Sequence, residues 1–145
     1  MTTFEECLKK GLIKPHPYDR QSIDNELAQS EFDLQRANDS AAVGDYKWAT
    51  VQAYYSMFHA ARALLYQNSY REKSHICIEL FLGKLVNEGK LDQRYRDYFE
   101  AARDLRERAD YDSSYSAENA EKSMVNARDF LDKIKSLVTP PTSQT

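Results

Sequence analysis

Glycine and proline are scarce in this chain of 145 residues, with only four of each. Few turns are therefore available, and long secondary-structure elements are expected. Positive charge is not in excess either, because the formal net charge is −3. Contacts to a nucleic-acid backbone need clustered lysine and arginine, so this balance argues against a general nucleic-acid binder. The length suits one domain with its own hydrophobic core.

Cysteines and long apolar runs are also few. The two cysteines, Cys7 and Cys77, lack the spacing of metal ligands, so we expect reduced thiols in a cytoplasmic protein. The sequence shows no signal-peptide pattern and no apolar run near the ~18 residues that a membrane span needs. These absences predict a cytoplasmic protein that requires neither a membrane nor a cofactor.

Apolar residues recur at steps of three and four along most of the chain, which is the pattern of amphipathic helices. A short helix is predicted within 2–14, where Pro15 and Pro17 block its continuation. The long helices are predicted at 19–42, 45–67, from Ser69 or Ser74 to 87, from Asp92 to 112, and at 117–138. No strand pattern competes with them.

These elements predict an all-α fold, an up-and-down bundle of four to five helices with the helix at 45–67 in its centre. Three parts of the chain are expected. Residues 1–18 form an N-terminal extension, residues 19–138 form the helical domain, and residues 139–145 form a disordered tail that is rich in Pro, Thr and Ser.

The helix at 45–67 is apolar on more than one face, which indicates burial on several sides. It nevertheless carries polar groups among its core positions, namely Tyr54, Tyr55, His59 and Arg62. We interpret these four residues, together with His75, as a packing or interface set. A catalytic base would also need an orienting partner, and the sequence shows none for His59.

The helix that starts near Asp92 ends in several arginines and acids. Arg103, Arg106 and Asp110 fall on one face, and Arg106 leans toward the packed side. An arginine held there can clamp a phosphate with two parallel hydrogen bonds, although arginine–acid pairs at helix ends are also common structural features. The predicted ligand-binding residues are Arg103, Arg106, Arg108, Asp110 and Tyr111. If the site is catalytic, its candidates are Arg106, Asp110 and Tyr111.

Glu72 and His75 have the Glu-x-x-His spacing of di-iron bundles. Such a centre needs two of these motifs and two further glutamates, and no second Glu-x-x-His occurs here. We therefore predict no metal site.

The sequence contains ten tyrosines, and an apolar ring with one polar tip suits subunit interfaces. They favour a homodimer.

Three motifs together resemble the HEPN domain (higher eukaryotes and prokaryotes nucleotide-binding), especially its small stand-alone prokaryotic members. They are Ala53-Tyr-Tyr-Ser-Met-Phe-His-Ala-Ala-Arg-Ala-Leu-Leu65, Lys73-Ser-His75 and Arg106-x-x-Ala-Asp-Tyr111, within a resemblance over 20–137. The resemblance implies a helical bundle that dimerises. It also implies a partner, often a minimal nucleotidyltransferase, in toxin–antitoxin pairs. Many members of the family are metal-independent ribonucleases that use an arginine followed, four to six residues later, by a histidine.

This sequence departs from that ribonuclease pattern. Counted from Arg106, the histidine position falls on Tyr111, Asp112 or Ser113, and no histidine occurs after His75. Tyrosine, with an ordinary pKa near ~10, is a poor base at neutral pH. The leading hypothesis is therefore a homodimeric module that binds a nucleotide or RNA and has a nucleotidyltransferase partner. The alternatives are a ribonuclease toxin with a non-standard site and a structural dimer without a ligand.

Overall fold

A computed structural model of the protein describes residues 3–138. The predicted tail at 139–145 lies outside these residues. Within them the chain forms, in order, α1 (Phe4–Lys9), β1 (Ile13–Pro15), α2 (Arg20–Ala42), α3 (Tyr46–Gln67), β2 (Tyr70–Glu72), α4 (His75–Asn87), α5 (Gln93–Tyr111) and α6 (Ala117–Leu137). The five long helices match the predicted ones, and the all-α bundle is confirmed.

Short polar side chains fix where most of the long helices begin. The side chain of the residue before the helix accepts a backbone N–H bond in α2, α3, α5 and α6, from Asp19, Asp45, Asp92 and Ser116 respectively. Ser74 precedes α4 without such a bond.

The helix α3 lies at the centre of the bundle, as predicted. It contacts α2, α4, α5, α6 and β2. Its buried residues include Ala53, Tyr54, Met57, Phe58 and Leu65, which face these neighbours on different sides. An all-round apolar surface is therefore explained by burial on several sides. None of the helices between residues 3 and 138 combines the length and the hydrophobicity that a bilayer crossing requires.

The expectation of no β-structure is wrong, because β1 and β2 pair antiparallel with Ile13 opposite Glu72. The predicted helix within 2–14 also ends early, at Lys9. Gly11 adopts a φ of +68°, a left-handed conformation that suits glycine and stops the helix. A strand of three residues is too short to show an alternating pattern, and the sequence therefore did not reveal it.

The expectation of reduced thiols is wrong as well. Cys7 on α1 and Cys77 on α4 form a disulfide across 70 residues of chain, and both are fully buried. Phe4 and Ile13 are buried too, so the start of the chain packs onto the bundle. The disulfide holds α1 against the first turn of α4, which lines the site described next.

Candidate anion-binding site

Arg106 occupies a half-buried position on α5, with its side chain 16% exposed. Its guanidinium lies over the ring of Tyr54 on α3, 5.0 Å from the ring centroid. Nη1 donates a long hydrogen bond of 3.4 Å to Oδ2 of Asp110, one turn further along α5. Nε is buried and has no hydrogen-bond partner within residues 3–138. The guanidinium is therefore held in place, and its buried Nε keeps hydrogen-bonding capacity that no residue within 3–138 uses.

Neighbouring groups keep Arg106 charged. Burial acts against its charge, but Tyr55, Tyr54 and Asp110 outweigh that effect and the pKa of Arg106 is raised. For Tyr54 burial is the largest cause and raises the pKa of the phenol, while the Arg106 guanidinium acts in the opposite direction. Arg106 is thus a permanent cation beside a neutral phenol at physiological pH.

Arg103 lies one turn before Arg106, but its hydrogen bonds are already made. It donates to Glu79 on α4, and its Nη2 donates to Asp104 at 3.1 Å. The side chain of Glu79 is only 6% exposed, and burial raises the pKa of its carboxyl against the effect of Arg103. Arg103 therefore neutralises a buried acid and is not free to bind a ligand in the way that Arg106 is.

These groups line a cavity of about 280 Å³ between α3, α4 and α5. Its walls are formed by Tyr54, His75, Ile76, Glu79, Phe99, Arg103, Arg106 and Glu107. Tyr54 and His75, interpreted from the sequence as packing or interface residues, thus join the cavity, and so does Glu79, which the sequence pattern did not indicate. Helical spacing indicates which α5 residues share a face, but it cannot indicate which residues of other helices meet them.

Arg108 and Tyr111 do not join this cavity. They line a second cavity of about 370 Å³ with Asp104, Glu107 and Asp112, and Tyr111 is 76% exposed. Successive residues of a helix are rotated by about 100°, so these two side chains point away from the face that carries Arg106. Four of the five ligand-binding residues predicted from the sequence are therefore divided between two neighbouring cavities, and Glu107 borders both. The fifth, Asp110, lines neither cavity and pairs with Arg106.

His59 and Arg62 of α3 belong to one closed network of charged side chains. Nδ1 of His59 lies 2.8 Å from Glu26, and Nε2 lies 3.6 Å from Asp33. Arg62 donates to Glu72 through Nε and Nη2, at 3.0 and 2.8 Å. These residues have partners inside one subunit, and their role in a subunit interface stays a prediction.

Glu72 thus pairs with Arg62 rather than with His75. Across the part of the chain that the structure describes, no group of three or more His, Cys, Asp or Glu side chains is arranged to hold a metal ion.

Comparisons with known proteins identify relatives of this chain. The model of the HEPN domain family matches residues 25–137. Putative toxin MJ0605 of Methanocaldococcus jannaschii is 36% identical over 92 residues, which cover 62% of this chain and 69% of that protein. Putative toxin MJ0142 of the same organism is 26% identical over 119 residues, which cover 80% of this chain and 81% of that protein.

Proposed function

The chain belongs to the HEPN domain family, and we propose that it is a homodimeric module that binds the phosphate of a nucleotide or RNA through Arg106. The proposal includes a nucleotidyltransferase as partner, in a pair of the toxin–antitoxin type. The observation that carries the binding role is the guanidinium of Arg106 in the cavity wall, whose Nε has no hydrogen-bond partner within residues 3–138. The partner is inferred from the family and from the two relatives that are named as toxins.

Arg106 has the properties of a pre-organised phosphate ligand. A guanidinium binds phosphate most strongly when two parallel N–H groups meet two oxygens. The bond to Asp110 uses Nη1. Nε has no hydrogen-bond partner among the described residues and is buried, so a ligand reaches the guanidinium from the cavity that Arg106 lines. Stacking on Tyr54 holds the plane of the guanidinium, so little rotamer entropy remains to be lost on binding.

The proposed compartment is the cytoplasm, where toxin–antitoxin pairs act. Disulfides are uncommon there because cellular thiols reduce them. Cys7 and Cys77 are both fully buried, and a reductant therefore needs a local opening of α1 before it can attack. Burial of the disulfide is thus compatible with a reducing compartment.

Fluorescence anisotropy with a labelled single-stranded RNA tests the binding role. Arg106→Ala is expected to weaken binding at least about ten-fold, because one charge-assisted bidentate contact is lost. Arg128→Ala is the matched control, since it removes the same charge from an exposed side chain on α6. Equal binding by the wild type and Arg106→Ala would contradict the proposal.

The same preparation tests the ribonuclease alternative and the dimer. We expect no cleavage of the RNA in the presence of EDTA, because the motif that supplies the usual histidine is absent. Cleavage that disappears in Arg106→Ala would make the protein a ribonuclease with a non-standard site. Light scattering is expected to give the mass of a dimer, and a monomer at high concentration would remove that part of the proposal.

A further inference from the structure

His75 is the first residue of α4 and lies 31 positions before Arg106 in the sequence, yet both side chains line the same cavity. Its ring packs on the ring of Phe58, with the centroids 4.5 Å apart. Phe58 is itself buried, so the imidazole rests on a fixed support. His75 is therefore positioned by packing, while its own side chain remains accessible from solvent.

The hydrogen-bonding capacity of His75 is unused. Neither of its ring nitrogens has a hydrogen-bond or ion-pair partner within residues 3–138. His59 is the contrasting case, because each of its nitrogens faces a carboxylate, from Glu26 or Asp33. An imidazole that is packed on one face and has free nitrogens beside a cavity is available to a ligand.

The acids of the cavity decide what kind of ligand fits. Arg103 neutralises Glu79 and also interacts electrostatically with Glu107, which lines the same wall. The space of about 280 Å³ is close to the lower limit for a small-molecule site. A phosphodiester has two non-bridging oxygens, which a bidentate arginine already occupies, whereas a terminal phosphate has a third oxygen for His75.

We propose that His75 is a second phosphate-binding residue, and that the cavity which it shares with Arg106 binds a terminal phosphate. The ligand class is a phosphate monoester, which is either a free nucleotide or the phosphorylated end of an RNA. Arg106 takes two of its oxygens and His75 donates to the third. This inference rests on the proposed phosphate-binding role of Arg106 and adds the histidine and the chemical form of the phosphate.

Titration of the full chain with AMP and with adenosine tests the role of His75. Because the amide of Gln does not place its N–H where the imidazole nitrogens lie, His75→Gln is expected to weaken AMP binding about ten-fold. The imidazole NMR signal of His75 is expected to shift with AMP and not with adenosine. His16→Gln is the matched control, since the His16 ring packs on Tyr66 and does not line the cavity.

A comparison of two forms of one RNA tests whether the bound phosphate belongs to a free nucleotide or to an RNA end. The same RNA is compared with a terminal phosphate and with a terminal hydroxyl, and only the phosphorylated form is expected to depend on His75. Binding of this RNA without binding of AMP supports the proposal with an RNA end as the ligand. Binding that depends on Arg106 but is unchanged in His75→Gln, or equal for both RNA ends, overturns this inference and leaves the proposed function standing. Absence of binding to every one of these ligands overturns both.

Discussion

Two arginines stack on aromatic rings that lie one helical turn apart on α3. Arg62 lies 4.5 Å from the centroid of Phe58, and Arg106 lies 5.0 Å from that of Tyr54. Both side chains are mostly buried, with 22% and 16% exposed. The two regions therefore start from the same local chemistry, a cation on an aromatic face.

They differ in the carboxylates around the cation. Arg62 directs Nε and Nη2 at Glu72 and approaches Glu26 at 3.5 Å. Burial acts against its charge, but Glu72 outweighs that effect and the pKa of Arg62 is raised. Arg106 donates a long bond from Nη1 to Asp110 and interacts with the phenol of Tyr54. The surroundings of Arg62, with Glu26 and Glu72, form a closed region that suits a structural role. The surroundings of Arg106 form an open region, because this arginine lines a cavity that a ligand can enter.

Both regions adjoin the segment 72–79, which runs from Glu72 through His75 to Glu79. Cys77 lies within this segment, and its disulfide to Cys7 anchors the segment to α1. Removing the disulfide with Cys7→Ala and Cys77→Ala is therefore expected to have the largest effect on stability. The free energy of unfolding should fall by about 3–4 kcal/mol, since the unfolded chain is no longer constrained by a loop of this length. Urea unfolding followed by circular dichroism measures the change.

The wild type under strong reductant is the control for the cysteine variant, and it should unfold at the same urea concentration as the variant. Binding of AMP should also weaken in both, because the first turn of α4 loses its attachment to α1. A double variant as stable as the oxidised wild type would show that packing alone holds this segment in place.

The next largest effect is a difference in stability between the alanine variants of Arg62 and Arg106. Arg62→Ala is expected to lower the free energy of unfolding by about 2–3 kcal/mol, because it leaves the carboxylate of Glu72, 6% exposed, without its cation. Arg106→Ala should cost about 1 kcal/mol or less, since it removes a ring contact and one long bond. Urea unfolding of both variants gives the comparison.

A second substitution checks the cause assigned to Arg62. Adding Glu72→Gln to Arg62→Ala should recover part of the lost stability, because a neutral amide is less costly to bury than an unpaired carboxylate. Equal losses in Arg62→Ala and Arg106→Ala would mean that the closed and open regions do not differ in the way proposed.

The sequence predicted the fold well because helical periodicity is a local signal. The bounds of α2 followed from the spacing of apolar residues, and the start of α3 followed from Asp45, while the capping bond from Asp19 was not foreseen. The two strands and the disulfide depend on contacts between residues that are far apart in sequence. Cys7 and Cys77 are separated by 70 residues, and nothing in their local sequence indicates the pairing.

The site was predictable only along α5. The spacing of Arg103, Arg106 and Asp110 on one helix face follows from 3.6 residues per turn. Helix geometry does not show which of the two arginines can bind a ligand, because the partner of Arg103, Glu79, comes from α4. The polar tip of Tyr54 in an apolar helix, which needs a partner or a cleft, was the one sequence signal for its role beside Arg106. His75 gave no such signal, since its neighbours come from other elements.

The smallest expected effect on stability comes from an exposed ion-pair group, which gives a surface counterpart to the buried pair of Arg62 and Glu72. Arg128 and Lys135 on α6 pair with Glu31 on α2, and the hydrogen bond from Arg128 is the main cause that lowers the pKa of Glu31 to about 2. A lowered folded-state pKa contributes stability that is present above the ordinary value near 4.5 and is lost as the pH falls toward 2. Glu31 is 44% exposed, so solvent screens the pair and the contribution should be about 0.5 kcal/mol.

Thermal unfolding of the wild type and Glu31→Gln between pH 2 and 6 measures this contribution. The wild type should be slightly more stable at pH 6, and the difference should disappear as the pH approaches 2. High salt at pH 6 should remove most of the difference, because exposed charges are screened. The loss in Arg62→Ala should persist in the same salt, since its partner is buried. A Glu31 effect that survives high salt, or that grows as the pH falls, would place Glu31 with the closed region instead of the surface.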